Sequence, residues 1–209
     1  MKKILERDHA VLRKMAIEVP EKDILSPKIQ HIIHDMKEAL DSQDDGVAIA
    51  APQIGYSLRI FVVSHKVASI IKKAKDKKEK KMREAEMKKN GTAQSLENEE
   101  YAREEATEEK LASEDTVFIN PIITKISKEK KMMEEGCLSV RYLYGEVNRA
   151  QKVTVSAFDE QGNKIVSGAS GLLAQIFQHE IDHLNGILFI DKAKYLEEIP
   201  PSKHSRTNN

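Results

Sequence analysis

The stretch His179-Glu180-Ile181-Asp182-His183 decides how this chain is interpreted. It ends an apolar segment whose spacing predicts a helix over residues 171–184, with Ser170 as the N-cap and Asn185-Gly186 as the stop. Residues four apart lie one above the other on a helix, so the two histidines can bind one metal ion. Glu180, beside the first histidine, is then close enough to move protons for a water molecule.

The bulk composition limits the class of protein. A chain of 209 residues with 40% hydrophobic and 33% charged residues predicts one domain with a largely solvated part. Its formal charge of zero argues against a broad nucleic-acid-binding surface. A single cysteine excludes an intramolecular disulfide and indicates a reducing compartment. We find no secretory signal at the start and no stretch apolar enough to span a bilayer, and we expect a cytoplasmic protein.

Local patterns predict a second helix and several strands. Ser26-Pro27 is a typical helix start, and apolar residues recur behind it at helical spacing, which predicts an amphipathic helix over residues 27–42. Two buried strands are predicted at 58–63 and 117–123. The β-rich part that follows has shorter strand candidates and a hairpin turn at 159–162; the strand candidates are 129–134, 143–147, 152–158 and 163–168.

Residues 66–114, here called the charged insertion, differ from the rest in composition. They are mostly Lys, Glu and Ala, basic through Lys89 and acidic from Glu97. Two charged helices joined at Asn90-Gly91 and folded back so that opposite charges face each other fit this pattern. A solvated, partly disordered segment fits it as well. We expect one core domain made of residues 1–65 and 115–200, interrupted by the insertion and followed by a polar tail, 201–209.

Two further segments carry candidate site residues. A catalytic metal needs a third protein ligand and an open position, and Cys137 in Glu135-Gly136-Cys137-Leu138-Ser139 is the candidate. By itself a lone cysteine is more often a small buried hydrophobic residue. The run from Gly46 to Gln53, Gly-Val-Ala-Ile-Ala-Ala-Pro-Gln, combines small residues that let backbone approach a ligand with an amide donor at Gln53. Alone, that run is typical of a buried strand entering a turn.

Taken in order, the Gly46–Gln53 run, the Glu-Gly-Cys-Leu-Ser segment and the His-Glu-x-x-His motif resemble peptide deformylase. The resemblance covers nearly everything outside the charged insertion and the last residues, and it includes Leu143-Tyr144-Gly145-Glu146-Val147. It implies an α+β fold in which antiparallel or mixed β-sheets wrap around a central HExxH helix, with a second, N-terminal helix and an inserted charged helical segment. It also implies hydrolysis of the N-formyl group from the starting methionine of newly made polypeptides, with release of formate, in the bacterial cytoplasm.

The resemblance further implies roles for particular residues. Cys137, His179 and His183 would bind one divalent metal, which is usually iron(II) in this family, with zinc, nickel or cobalt as substitutes. Glu180 would carry the proton, while the Gln53 amide and the Leu138 backbone N–H would stabilise the oxyanion. Substrate would meet an apolar pocket and strand edges formed by six residues: Gly46, Val47, Ile49, Gly136, Leu172 and Ile176. For Ile49, plain core packing is equally consistent with the sequence.

Three positions depart from the family pattern without touching the expected ligands. Ala48 stands where a second glycine is usual, so its methyl group should cost stability or affinity if the backbone there needs φ > 0. Arg141 stands where proline is usual, which would make the loop after Cys137 less rigid. Gln175 replaces an apolar residue and would make one pocket wall polar.

Two other functions are consistent with parts of the sequence. A zinc endopeptidase also uses His-Glu-x-x-His, but the metzincin pattern requires a histidine where this chain has Phe189, and only Glu197 and Glu198 could serve as a later acidic ligand. A deformylase-like protein that docks on the ribosome would use the basic arm, residues 66–89, against RNA phosphates, although a solvated helix explains that arm too. We expect a monomer with no membrane partner.

Overall fold

The computed structural model of the chain describes residues 2–86 and 99–200, and the side chains within 2–76 and 106–200. Four α-helices lie in these ranges: α1 (Pro27–Asp41), α2 (Lys66–Glu86), α3 (Glu99–Ser113) and α4 (Gly171–Leu184). None of these described helices has the length and apolar character needed to cross a membrane. Helices α1 and α4 match the segments predicted at 27–42 and 171–184.

The ends of these two helices follow from their sequences. The Ser26 hydroxyl accepts a hydrogen bond from the Ile29 N–H and Pro27 is the first residue of α1, as expected for a capped start. Ser170 is the N-cap residue of α4, as predicted, and has an extended conformation, although its side chain makes no capping hydrogen bond. Gly186 ends α4 with a φ of 73°, which a glycine adopts without strain.

The strands form two sheets in the described residues. The first sheet has five strands, in the spatial order β1 (Ala48–Ala50), β2 (Ile60–Val63), β3 (Thr116–Ile126), β6 (Lys152–Phe158) and β7 (Lys164–Ser170). The second has three strands, in the order β4 (Lys130–Cys137), β5 (Val140–Ala150) and β8 (Lys194–Glu198). Every strand pairing within these two sheets is antiparallel. The expectation of an α+β fold with antiparallel sheets is therefore confirmed.

The five-stranded sheet is covered by a helix on each face. Along β2, Phe61 and Val63 belong to the apolar cluster that contains α4, whereas Ile60 and Val62 belong to the cluster that contains α1. Successive side chains of a strand point to opposite faces, so α4 and α1 pack on opposite sides of the sheet. Burial of both faces explains why β2 is apolar along its whole length.

The three-stranded sheet brings the cysteine segment to α4. Strands β4 and β5 form a hairpin in which Cys137 pairs with Val140, so the chain reverses at Leu138-Ser139. Strand β5 also contacts α4. Cys137 therefore lies at the end of a strand, beside the helix that carries the two histidines.

The charged insertion occupies the turn between β2 and β3. Val63 and Thr116 pair directly across these strands, so the chain could be closed there by a short hairpin turn. Just beyond this pair, the Asp115 carboxylate oxygen Oδ1 lies 2.9 Å from the backbone nitrogen of His65 and 2.8 Å from its Nδ1. The two ends of the insertion are thus joined at its base.

The insertion is also attached to the core through its first and last turns. Val67 of α2 and Leu111 of α3 are fully buried in the cluster that contains α4. Farther out, Lys75 Nζ lies 2.6 Å from Glu108 Oε2, so opposite charges of α2 and α3 face each other there. The junction expected at Asn90-Gly91 lies outside the described residues, as does the tail, 201–209.

Candidate active site

Helix α4 presents its two histidines from a buried surface. Apolar residues at helical spacing pack it against the five-stranded sheet, including Leu173, Ile176 and Phe177, which are at most 5% exposed. His179 and His183 follow on the same helix, with ring centroids 4.9 Å apart. Their spacing thus places two imidazoles side by side, as the sequence predicts.

Cys137 completes a group of three ligand-type side chains. Its Sγ atom lies 3.2 Å from Nε2 of His183. One ligand atom from each of Cys137, His179 and His183 lies within 4.8 Å of the other two. Residues from one strand, β4, and one helix, α4, therefore converge in space, although the cysteine is more than forty positions from either histidine along the chain.

The chemistry of these donors fits a metal ion. A thiolate and two neutral imidazoles form a three-ligand set of the kind that catalytic zinc and iron sites use, with a position left for another ligand. His179 Nδ1 lies 2.9 Å from the Glu135 carboxylate, which leaves its Nε2 for coordination. A carboxylate on the distal nitrogen is the usual partner of a metal-binding histidine, because it fixes the ring and its tautomer.

Glu180 points a carboxylate into the same region. It is 3% exposed, and its Oε2 is buried without a hydrogen-bond partner among the described residues. Burial raises the pKa of Glu180 to about 7, although the neighbouring His179 opposes this shift when charged. A carboxylate whose pKa lies near neutrality can both accept and release a proton at physiological pH.

Burial and hydrogen bonding act differently on the two histidines. Burial lowers the pKa of His183 well below its ordinary value, and this favours the neutral ring that a metal requires. For His179, burial also lowers the pKa, but hydrogen bonds to Cys137 and Glu135 outweigh it and raise the net value. The pKa values of the two rings on α4 are therefore shifted in opposite directions, because hydrogen bonds dominate at His179 and burial dominates at His183.

A buried charged network holds Glu135 behind His179. Arg149 donates from Nε and Nη2 to the two Glu135 oxygens at 2.7 and 3.0 Å, and from Nη1 to Asp182 at 2.7 Å. Lys192 Nζ in turn lies 2.6 Å from Asp182 Oδ1. Burial raises the pKa of Glu135, but hydrogen bonds from His179 and Arg149 reverse this and lower it to about 2. Glu135 is therefore ionised at neutral pH and orients the His179 ring.

Sequence reasoning missed this network. Glu135 and Asp182 stand inside the quoted motifs, next to Gly136 and between the two histidines, so their position was a usable signal. Arg149 carries no local signal, because its role depends on strand β5 passing behind α4.

Gln53 lies close to the cysteine. Its Nε2 is 3.5 Å from Cys137 Sγ and 3.2 Å from Ser139 Oγ, while its Oε1 accepts from the Ala50 N–H at 2.8 Å. Both N–H groups of the amide are directed at these two partners. To donate a hydrogen bond to a bound substrate, the Gln53 amide therefore has to give up or share its contact with Cys137 Sγ or Ser139 Oγ.

A cavity of about 340 Å³ opens beside these residues. Its wall includes Cys137, His179 and Glu180. It also includes Tyr144 and nine further residues that the sequence analysis considered: Val47, Ala48, Gln53, Gly136, Leu138, Arg141, Leu172, Gln175 and Ile176. Gly46 and Ile49 do not line it. Ile49 is fully buried in the cluster that contains α1, which fits the core-packing alternative.

The three departures from the family pattern have specific surroundings. Ala48 lies in β1 and is not among the described non-glycine residues with positive φ, so its methyl group causes no strain of that kind. Gln175 donates to the Glu134 carbonyl at 2.7 Å, so its amide is engaged by the wall. Arg141 forms an ion pair with Asp45 at 2.8 Å.

Comparisons with known proteins agree on one family. The family model described as polypeptide deformylase matches residues 1–198. A peptide deformylase of Carboxydothermus hydrogenoformans is 35% identical over 191 residues, which cover 91% of this chain and 92% of that protein. A peptide deformylase of Psychrobacter cryohalolentis is 51% identical over 82 residues, a match that covers 39% of this chain and 45% of that protein.

Solved structures give the same result. The peptide deformylase from Thermotoga maritima superposes with a TM-score of 0.65 at 28% identity and covers 93% of this chain and 98% of its own. The Synechococcus elongatus enzyme in complex with actinonin gives a TM-score of 0.64 at 27% identity, over 92% of this chain and 79% of its own. The chain therefore belongs to the polypeptide deformylase family.

Proposed function

We propose that this chain hydrolyses the N-formyl group from the starting methionine of newly made polypeptides, releasing formate, in the cavity beside α4. The observation that carries this proposal is the convergence of Cys137, His179 and His183 within 4.8 Å, next to the buried Glu180, whose Oε2 has no hydrogen-bond partner among the described residues. Membership in the deformylase family supplies the reaction. The chain is thus a hydrolase that acts on a linear amide.

Cys137, His179 and His183 would hold one divalent metal ion, and we propose iron(II), with zinc, nickel or cobalt able to replace it. A thiolate with two imidazoles suits all four ions, so affinity alone does not select among them. Such an ion would supply Lewis acidity, which activates water and polarises the formyl oxygen. Glu135 would keep the His179 ring oriented for this role.

Glu180 would move the proton. As a water oxygen bonds to the formyl carbon, the Glu180 carboxylate would accept a proton from that water, and it would then deliver a proton to the leaving nitrogen as the C–N bond breaks. Its pKa of about 7 suits both directions of transfer. The products would be formate and a polypeptide with a free amino group.

Gln53 and the Leu138 backbone N–H would stabilise the charge that develops on the formyl oxygen. Both residues line the cavity, and the Gln53 amide is already directed towards Cys137. Loss of one such donor typically raises the barrier by about 3 kcal/mol. Ser139, the other partner of the amide, would hold it in position.

The methionine side chain would occupy the apolar part of the cavity. Val47, Leu172 and Ile176 line it from two sides, and Gly136 leaves room for the polypeptide backbone. At Gly136 an added Cβ would lie 2.8 Å from the Tyr144 ring, so only glycine fits without moving that ring. We propose these four residues as the substrate contacts, with the backbone bound in an extended conformation.

We propose that residues 1–65 and 115–200 form the catalytic domain around the central helix α4, that 66–114 is an insertion, and that 201–209 is a polar tail. The direct pairing of Val63 with Thr116 supports this division, because β2 and β3 remain adjacent whatever lies between them. The burial of Val67 and Leu111 supports an insertion whose base packs on the core.

The basic arm, residues 66–89, would contact ribosomal RNA phosphates and bring the enzyme, as a cytoplasmic bacterial monomer, to nascent chains. Sedimentation with ribosomes at several salt concentrations tests this. The matched variant should lack only residues 77–105, so that Val67 and Leu111 stay in place and the core remains covered. Equal sedimentation of both proteins would reject a ribosome contact made by residues 77–89 of the arm.

The activity itself is tested by measuring formate released from a formyl-methionyl peptide. The same preparation is incubated with an unformylated peptide of equal length, and cleavage of internal peptide bonds is followed by mass spectrometry. Formate without internal cleavage is the expected result. Internal cleavage without formate would instead support the endopeptidase alternative.

A further inference from the structure

Two charged side chains from distant segments meet at the rim of the cavity. Asp45 precedes β1, Arg141 is the second residue of β5, and both line the cavity. Arg141 Nη1 donates to Asp45 Oδ2 at 2.8 Å. The Arg141 side chain is 35% exposed and the Asp45 side chain is 64% exposed. This pair, here called the rim pair, therefore lies where the cavity meets solvent.

The rim pair is held in place from behind. Arg141 Nη2 donates to Gln43 Oε1 at 2.5 Å, and the Gln43 amide donates to Ser42 Oγ at 2.8 Å. The backbone carbonyl of Gln43 accepts from Lys66 Nζ at 3.3 Å. A guanidinium with two partners in a fork has a defined direction, unlike a solvated surface arginine.

The location of the pair gives it a consequence for substrates, and this step depends on the proposed function. When a formyl-methionine occupies the cavity, the residues that follow it leave through the rim. Their side chains pass a guanidinium and a carboxylate whose charges largely cancel while they are paired. Glu134, also at the wall, contributes the same charge in every variant considered below.

We propose that Arg141 and Asp45 control how the enzyme responds to the side-chain charge of the residue that follows the formyl-methionine. While they are paired, the enzyme has no preference for either charge at that residue. The removal of either partner leaves the other uncompensated at the rim. A free guanidinium attracts acidic side chains, and a free carboxylate attracts basic ones. The two single variants should therefore acquire charge preferences of opposite sign.

The test compares kcat/KM for formyl-Met-Asp, formyl-Met-Ala and formyl-Met-Lys peptides. Asp45→Asn should shift the acidic-to-basic ratio about five-fold upwards and Arg141→Gln about five-fold downwards, mainly through KM, with both shifts lost at high salt. Lys37→Gln is the matched control, because Lys37 forms a partly exposed ion pair with Glu160 at 2.8 Å and neither residue lines the cavity. The control should keep the wild-type ratio.

Charge reversal adds a second arm, which is compared with the single variants. The double variant Asp45→Arg/Arg141→Asp keeps an opposite-charge pair and should restore a ratio near that of the wild type. Unchanged ratios in both single variants, or shifts in the same direction, would overturn the proposal. Turnover of formyl-Met-Ala by the wild type tests the proposed function separately, because the alanine side chain is uncharged and cannot interact with the rim pair through its charge. If the wild type does not turn over this peptide, the proposed function itself fails.

Discussion

The carboxylate of Glu135 lies 2.9 Å from Nδ1 of His179, and their side chains are 3% and 12% exposed, respectively. This contact connects a residue of strand β4 to a candidate ligand on α4, so the two sides of the site fix each other. Cys137, two residues beyond Glu135, inherits its position from the same strand. The geometry of the site therefore depends on a hydrogen bond to Glu135, a residue that is not itself a candidate metal ligand.

Glu135→Gln should weaken metal binding about 10- to 100-fold, the usual cost of losing a carboxylate behind a histidine ligand. The amide offers one acceptor where His179 and Arg149 together use both carboxylate oxygens. Competition with a chromophoric chelator measures the affinity, and Glu146→Gln, at an exposed position of β5, is the control. Equal affinities for the two variants would show that Glu135 does not position His179.

Glu180 should make the stability of the metal-free protein depend on pH. Burial raises its folded-state pKa to about 7 from an ordinary value of 4.5, so folding takes up a proton between these values and stability falls as pH rises through that window. Glu180→Gln removes this titration. Between pH 4.5 and 7, the free energy of unfolding should change in favour of the variant by up to about 3 kcal/mol.

Urea unfolding of both proteins in the presence of a chelator measures this difference. All other carboxylates are common to the two proteins, so their contributions cancel. Parallel stability curves across the window would mean that Glu180 is not buried in the way described.

Gly186→Ala should destabilise the fold more than Gly162→Ala does. Both glycines have positive φ, 73° and 79°, so both substitutions cost about 1 kcal/mol in backbone strain. At Gly186 the new Cβ would also lie 2.8 Å from the backbone of Arg13, whereas at Gly162 it meets only Ile24 at 3.9 Å. We expect an additional loss of about 1–2 kcal/mol for Gly186→Ala, measured by thermal or urea unfolding. Equal losses would contradict the close contact between α4 and the N-terminal segment.

Leu111→Ala should show that the base of the charged insertion is part of the core. Leu111 is fully buried, so its truncation should cost about 2–5 kcal/mol. Ile70, on α2, is 40% exposed, and Ile70→Ala should cost much less. If the two variants unfold at the same urea concentration, the insertion does not pack on the sheet as described.

Local signals in the sequence were sufficient for the parts of the fold that depend on nearby residues. The Ser26-Pro27 start and the apolar spacing behind it gave α1, and the His179–His183 spacing gave two adjacent imidazoles. Most strand positions, although not that of β8 (Lys194–Glu198), were also found, because runs of β-branched residues between turns need no distant information. The division of these strands into two sheets was not, since it depends on contacts far apart in sequence.

The site was predictable to the extent that its residues stand in short motifs. Ile49 shows where such reasoning stops: it was grouped with Val47, but β1 begins at Ala48, and strand alternation turns Ile49 towards α1. Arg149 had no local pattern, and Arg141 was noted only as a departure from the family pattern, because each acts through a partner that only the folded chain brings near.

The most direct test is metal content measured beside formate release on an anaerobic preparation of the wild type, Glu180→Ala and Cys137→Ser. We expect one metal ion per chain in the wild type and in Glu180→Ala, formate from the wild type only, and weakened metal retention in Cys137→Ser. Undiminished metal affinity in Cys137→Ser, with wild-type formate release, would contradict a centre formed by Cys137, His179 and His183.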